Sequence, residues 1–313
     1  GIEQGVGQFN IVRKAKPLED YLNDANYPDS LKAKIRLVEE IKQFAIDSLG
    51  IYPSKNYTKM YDQKGKPGMY VVTACEPYDL ISYKWYFPVV GEFSYKGFFK
   101  KKKALKEAIS LQQDGYDTDV GEVNAWSTLG WFKDPVMSSM LDKTEGQLAR
   151  VLIHELTHGT IFVKNDVQFN ENLASFIGDK GALLFLKQKY SEDSEIIKAY
   201  LDELSDLQKI RAHMHKAARE LKKFYKLKGE LKPEKEKKER IQKILSDMDT
   251  LSLNSFERVR MIQIQKDTLN NTFFTDFLMY REDQKILEKT FNEDFGGDFT
   301  LYFNYLKKKY TTL

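Results

Sequence analysis

Val151-Leu152-Ile153-His154-Glu155-Leu156-Thr157-His158 is the stretch on which the reading of this chain turns. An apolar run leads into two histidines four residues apart, the spacing that stacks side chains on one face of an α-helix, one turn apart. His154 and His158 can therefore aim both imidazoles at a single ion, and zinc takes such nitrogen ligands at about 2.0–2.1 Å. Glu155 follows the first histidine, beside the position a metal-bound water takes. A carboxylate there can accept the proton of that water and later deliver it to a leaving amine. The chain has only 4 histidines. A chance match to the three fixed positions is expected in roughly one such chain in a few hundred.

A catalytic zinc site usually takes about three ligands from the protein and leaves one position open. The third should stand on the element that follows. His213 and His215 are two apart in a charged helical segment, so they diverge on a helix and read as surface residues. Glu171, in Phe169-Asn170-Glu171-Asn172-Leu173, is the leading candidate: the gap from His158 leaves room for a loop and the first turn of an antiparallel helix. Asp166 and Asp179 are its rivals, the first reading as a loop residue and the second lying more than two turns further along. The implied complement is one Zn2+ per chain.

Outward from these residues, a helix runs from Thr144-Glu145 through His158 and closes at Gly159, a residue suited to a helix end. A second starts near Asn170 and continues to about Tyr190, mildly interrupted by Gly178 and Gly181, so the pair occupies about 144–190. Upstream, residues 1–50 read as helical. Asp29-Ser30 cap a helix carrying Ile35, Val38, Ile41, Phe44 and Ala45, and Gly50 ends it. Residues 51–132 are β-rich. Met69 to Ala74, Tyr83 to Pro88 and Phe93 to Phe99 are β-branched and aromatic runs bounded by turn residues. A basic helix over 101–113 interrupts them, and a short extended stretch from Val123 to Thr128 precedes the turn at Asp134-Pro135.

Downstream, residues 192–250 are long-helix material, with Leu201, Leu204, Leu207, Ile210, Met214, Ala217, Leu221 and Phe224 at helical spacing. A break from Gly229 to Pro233 makes this a projecting helical hairpin. Its dense charge reads first as a solvated face and second as an arm for a protein partner. Residues 255–310 hold two or three more helices, broken at Gly296-Gly297. The fold class that results is α+β, mainly α: a small β-sheet in the N-terminal half, an active-site helix and a helical C-terminal half, in a single domain over 1–313.

Composition narrows the function. The 313 residues are 42% hydrophobic and 30% charged, with a net charge of +3 that gives no reason to expect nucleic acid as a partner. No apolar run is long enough for a transmembrane helix. Cys75 is the one cysteine, so no disulfide framework exists, and it reads as a small buried hydrophobe.

The residues also carry a resemblance. His154 to His158, then Phe162 to Gly178 (FVKNDVQFNENLASFIG), resemble the predicted-aminopeptidase family of bacterial zinc metallopeptidases, a gluzincin-like group. Gly5 to Gln8, Trp85 to Phe99, Ala125 to Val136, and Leu269-Asn270-Asn271 followed by Tyr280 are similar to its other segments, in the same order. The resemblance implies a peptide substrate, zinc on His154, His158 and Glu171, and Glu155 as the base. It implies a gluzincin-like fold in which a strand ahead of the active-site helix holds the peptide; Asn124 to Ser127 fit that place, or else an ordinary core strand. Gluzincins often draw an oxyanion donor from a C-terminal helix. Tyr280 is the candidate donor, with packing as its alternative role.

Thermolysin-like enzymes orient a zinc histidine with an aspartate one turn after the glutamate ligand. Ser175 stands there in this chain, which turns attention to Asp179 or a backbone carbonyl. Two further departures are Thr157, where members usually have alanine, and Tyr86 and Glu92, where members often carry a pair of cysteines. Members commonly have a signal sequence or a lipid-attachment cysteine ahead of this region, and the opening at Gly1 fits such a truncation. The expected location is therefore the cell envelope or periplasm, with a lipid anchor upstream; a cytoplasmic location also suits the composition. Aminopeptidase and endopeptidase both remain open at this level. The alternative to an enzyme is a zinc-containing binding or scaffold protein.

Overall fold

Burial of apolar faces decides which segments become elements. A computed structural model describes residues 11–87, 91–123, 134–164, 166–231, 233–265, 268–279 and 282–310. In chain order it begins with β1 (Lys16–Pro17), α1 (Leu18–Asn23), α2 (Asp29–Asp47), β2 (Lys59–Tyr61), β3 (Met69–Cys75), β4 (Trp85–Phe87), β5 (Gly91–Phe93) and β6 (Tyr95–Phe98). There follow α3 (Lys101–Gln113), β7 (Asp117–Val123), β8 (Val136–Met137), α4 (Glu145–His158), α5 (Val167–Lys189) and α6 (Glu195–Lys228). The last elements are α7 (Glu234–Ser246), α8 (Glu257–Ile264), α9 (Asn271–Met279), α10 (Glu282–Glu293) and α11 (Phe299–Lys309). The protein is α+β and mainly helical, as expected. No described helix is long and apolar enough to cross a membrane.

The described residues divide into two compact units built from interleaved segments. The first draws on Gly1–Gly68, Val123–Tyr200 and Tyr280–Leu313, and the second on Met69–Glu122 and Leu201–Met279. In the first unit α5 is the central helix. It buries Leu173, Ala174, Phe176, Ile177, Ala182, Phe185 and Leu186, positions spread around much of its circumference. Residues so spread require cover from several sides. α4 supplies Leu148, Leu152 and Ile153, and α2 supplies Phe44, whose ring meets Phe185 at 5.4 Å. Phe291 of α10 and Tyr302 of α11 close on Phe176 at 5.5 and 5.7 Å. A small sheet of order β1-β2-β8, antiparallel then parallel, completes the unit. Its strands are two or three residues long, too short for a period-2 pattern, and the sequence reading has none of them.

The second unit holds a sheet of order β6-β3-β7, with β3 and β6 antiparallel and Val72 opposite Lys96. Val72, Ala74 and Trp85 pack on Ala104, Ala108 and Leu111 of α3. β4 and β5 form a hairpin that sets Tyr86 opposite Glu92, so the two positions where the resembling family carries cysteines are cross-strand partners. The extended stretch expected from Val123 to Thr128 lies outside the described residues beyond Val123, where β7 ends. Four helices rather than two or three occupy 257–309; α8 and α9 span only 8 and 9 residues, too short for periodicity to separate them.

The charged hairpin of α6 and α7 presents an apolar inner face. Met214, Ala218, Leu221, Leu245 and Met248 share one core with Leu80, Val259 and Phe274. His213 is half-buried, with its Nε2 2.8 Å from the Ile244 carbonyl oxygen, which corrects its reading as a surface residue. His215 is likewise half-buried. Lys237, one of the hairpin's many charges, is buried and pairs with Asp117 at 2.8 Å. Cys75 is fully buried, and burial pushes its thiol up to about 12, as befits a packing residue.

Asn271 clamps this unit. Its amide nitrogen donates to the carbonyls of Glu76 and Pro77 at 3.0 Å each, and its Oδ1 accepts from the Tyr225 hydroxyl at 2.6 Å. Its backbone N–H donates to Asp117. Each buried group left without its partner costs about 1–3 kcal/mol. Asn271→Ala is therefore expected to destabilise the protein by about 3 kcal/mol, read as a lowered denaturant midpoint, while leaving the first unit's chemistry in place.

Candidate metal centre

The helix that carries both histidines is well delimited. Thr144 caps α4 by accepting from the Gln147 N–H, and the Gln147 side chain accepts from the Thr144 N–H in return. This capping box satisfies two of the amide groups a helix start leaves open. Arg150, His154 and His158 follow at intervals of four on one face, and Leu148, Leu152, Ile153 and Leu156 face the core. Thr157, the departure from alanine, is buried and donates its hydroxyl to the Ile153 carbonyl at 2.7 Å.

The connection to α5 is pinned by Asp166 and Asn170 in roles that the sequence reading does not assign to them. Asp166 is the N-cap, accepting from the Phe169 N–H at 3.0 Å. Asn170 is buried, and its side-chain amide both accepts from the Val163 N–H and donates to the Val163 carbonyl, each at 2.8 Å. The next residue is Glu171. Its helix then runs close against α4, because a β-carbon at Gly178 would stand 2.8 Å from the Arg150 carbonyl oxygen and 3.2 Å from His154 Cβ. Only glycine permits that approach.

The result is a tight triangle of donors. The Nε2 atoms of His154 and His158 lie 3.2 Å apart. His154 Nε2 is 3.3 Å from Glu171 Oε2, and His158 Nε2 is 3.5 Å from Glu171 Oε1. Ligands about 2.0–2.1 Å from a tetrahedral zinc stand about 3.3–3.4 Å from one another; each imidazole lies near that distance from one Glu171 oxygen, and one donor atom from each of the three residues lies within 4.8 Å of the others, so the group could hold a metal ion. Among the described residues this is the group of histidine and acidic side chains that could hold a metal.

The local charge suits a cation. Burial works against protonating His154, yet the Glu171 and Glu155 carboxylates outweigh it and hold its pKa above the ordinary value. Burial takes His158 down to about 4, so that imidazole is neutral and its nitrogen free to ligate at pH 7. Burial would raise Glu171, but its two histidine neighbours hold it below the usual carboxylate range.

The rivals for the third position are used elsewhere. Asp166 caps α5, and Asp179 pairs with Arg150. Asp179 is therefore tied to another partner; Ser175 is the side chain beside His154, its Oγ 3.4 Å from Nδ1. Tyr280, Trp126, Trp131 and the stretch Asn124 to Ser127 lie outside the described residues.

Tyr57 is a neighbour the sequence does not announce. It is buried, and its backbone has a φ of 59°, a left-handed conformation that is a genuine outlier for a bulky side chain. Its N–H donates to the Asp134 carbonyl at 2.7 Å. Its phenol is pushed well above the ordinary value by burial and by the charges of Glu155 and Asp134, which couples it to the carboxylate next to the first histidine.

A family model described as "Putative aminopeptidase" matches residues 2–311, nearly the whole chain, and the chain belongs to that family. Neither a curated protein nor a solved structure matches it.

The close approach of α4 and α5 is open to test. Gly178→Ala is expected to destabilise the fold by about 1–3 kcal/mol through overpacking, because a backbone carbonyl cannot rotate away. Gly181→Ala meets the side-chain tips of Leu49 and Ile153, which can yield, and should cost less. Denaturant titrations of the two variants should rank them in that order.

Proposed function

We propose that this member of the family is a zinc-dependent metallopeptidase of the gluzincin type, acting on peptides as an aminopeptidase, with His154, His158 and Glu171 as its zinc ligands. The observation that carries this reading is the donor cluster, with the two Nε2 atoms 3.2 Å apart and each within 3.5 Å of one Glu171 oxygen, next to a carboxylate that follows the first ligand directly. Zinc bound there supplies Lewis acidity, polarising a carbonyl and making a water acidic at neutral pH. Glu155 takes the proton of the attacking water on its carboxylate and hands it to the departing amine. In this reading Tyr280 donates a hydrogen bond to the developing oxyanion, and Asn124 to Ser127 align the peptide backbone. The aminopeptidase assignment leans on the family description. Residence in the cell envelope, held by a lipid anchor upstream, leans on the family resemblance.

Two variants test the roles separately. Glu155→Gln should lower peptide hydrolysis by at least about 10²-fold while zinc, measured by elemental analysis, stays near one per chain. Survival of hydrolysis in that variant would remove Glu155 from the mechanism. Glu171→Ala should lose zinc or bind it far more weakly, because two histidines alone make an incomplete site. A native chain that binds zinc yet cleaves no member of a peptide library would favour the non-catalytic binding protein.

A further inference from the structure

The two histidines differ in what holds them. Both present Nε2 to the cluster, which leaves Nδ1 to carry the proton in the ligating tautomer. Metal-bound imidazoles almost always donate that second N–H to a carboxylate, a carbonyl or a water. Such a partner fixes the ring and raises its basicity, and its loss typically costs about 10–100-fold in metal affinity. Among the described residues, the partner beside His154 Nδ1 is the Ser175 hydroxyl, at 3.4 Å, a long contact to a neutral acceptor. Ser175 is 5% exposed and sits one turn along α5 from Glu171. The carboxylate one turn further on, Asp179, is turned to Arg150. His158 Nδ1 is buried with no hydrogen-bond partner among the described residues.

We propose that Ser175 is the positioning residue of His154, and that its neutral hydroxyl, standing where a carboxylate would bind the ring more firmly, makes this a centre that exchanges its zinc instead of holding it permanently. This rests on the zinc site proposed above. A carboxylate at this position would strengthen the imidazole as a donor by drawing on its proton; a hydroxyl orients the ring and adds little basicity. Occupancy of the centre then follows the local supply of zinc.

The test uses the full chain, with zinc alone as the probe. Affinity is measured by competition with a chromophoric chelator at fixed neutral pH, and release is timed into excess chelator. Ser175→Asp is expected to tighten binding by about tenfold or more, and Ser175→Ala to weaken it by a comparable factor. Ser175→Thr, which restores the hydroxyl, should recover the native value. Thermal melting of the zinc-free chains reports on folding independently, and should move little in the alanine variant. If Ser175→Asp does not fold, the alanine and threonine pair decides alone. Native affinity and release rate in Ser175→Ala would overturn this inference and leave the zinc site standing. A native chain that takes up no zinc at all would instead overturn the proposed function, and this inference with it.

Discussion

The candidate centre depends on how closely α4 and α5 approach. Two histidines on one helix define only a line of donors. The third donor must come from a separate element, and its carboxylate must arrive within about one ligand–ligand distance of both imidazoles. Gly178 makes that possible by bringing the backbone of α5 against the Arg150 carbonyl and His154 Cβ. Asn170 makes it reproducible by locking the entry to α5 onto Val163. Burial of Ile153 and Leu156 on α4 and of Leu173 and Ile177 on α5 contributes the apolar energy that holds the pair together.

The centre concentrates polar groups where the fold otherwise buries apolar ones. Two imidazoles and a carboxylate, largely removed from water, are costly unless each finds a partner. Here they partner one another: Glu171 is drawn below its ordinary pKa by the same histidines whose protonation it favours. A cation held among them could satisfy all three at once. Tyr57, elsewhere in the same unit, holds a left-handed backbone with a φ of 59°.

The second unit solves a related problem without chemistry. Its buried Lys237 and Asp117 are paired, and Asn271 accepts or donates at nearly every polar atom it has. This explains a segment similar to the family's, Leu269-Asn270-Asn271, in structural terms: the asparagines knit α9 to the turn after β3 and to the start of β7. The charged hairpin has a core-facing side for the same reason that any amphipathic helix does: its apolar stripe is in the sequence, and the fold supplies the partners, Leu80 and Phe274 among them.

Much of this was readable before any coordinates. Helical period placed α2, α4 and α5 to within a few residues, since each is long; the start signals did less well, for Pro28 and not Asp29-Ser30 precedes α2, and Asp166, read as a loop residue, caps α5. The four-residue spacing of His154 and His158 is a property of the helix itself, and needs no tertiary context. The preference for Glu171 over Asp166 and Asp179 followed from loop and helix geometry, and the structure gives both aspartates other work. What sequence could not supply were effects acting between elements. Gly178 reads as a mild helix interruption until the neighbouring carbonyl is seen. Asn170 reads as one more polar residue until it meets Val163, and Ser175 as a poor substitute for an aspartate until Asp179 is found on Arg150. Strands of two or three residues carry no period, so β1, β2 and β8 exist only through their pairing. Local spacing was set by the chain alone; which side chains meet across the gap between helices was decided by packing, because contact distance depends on both surfaces at once.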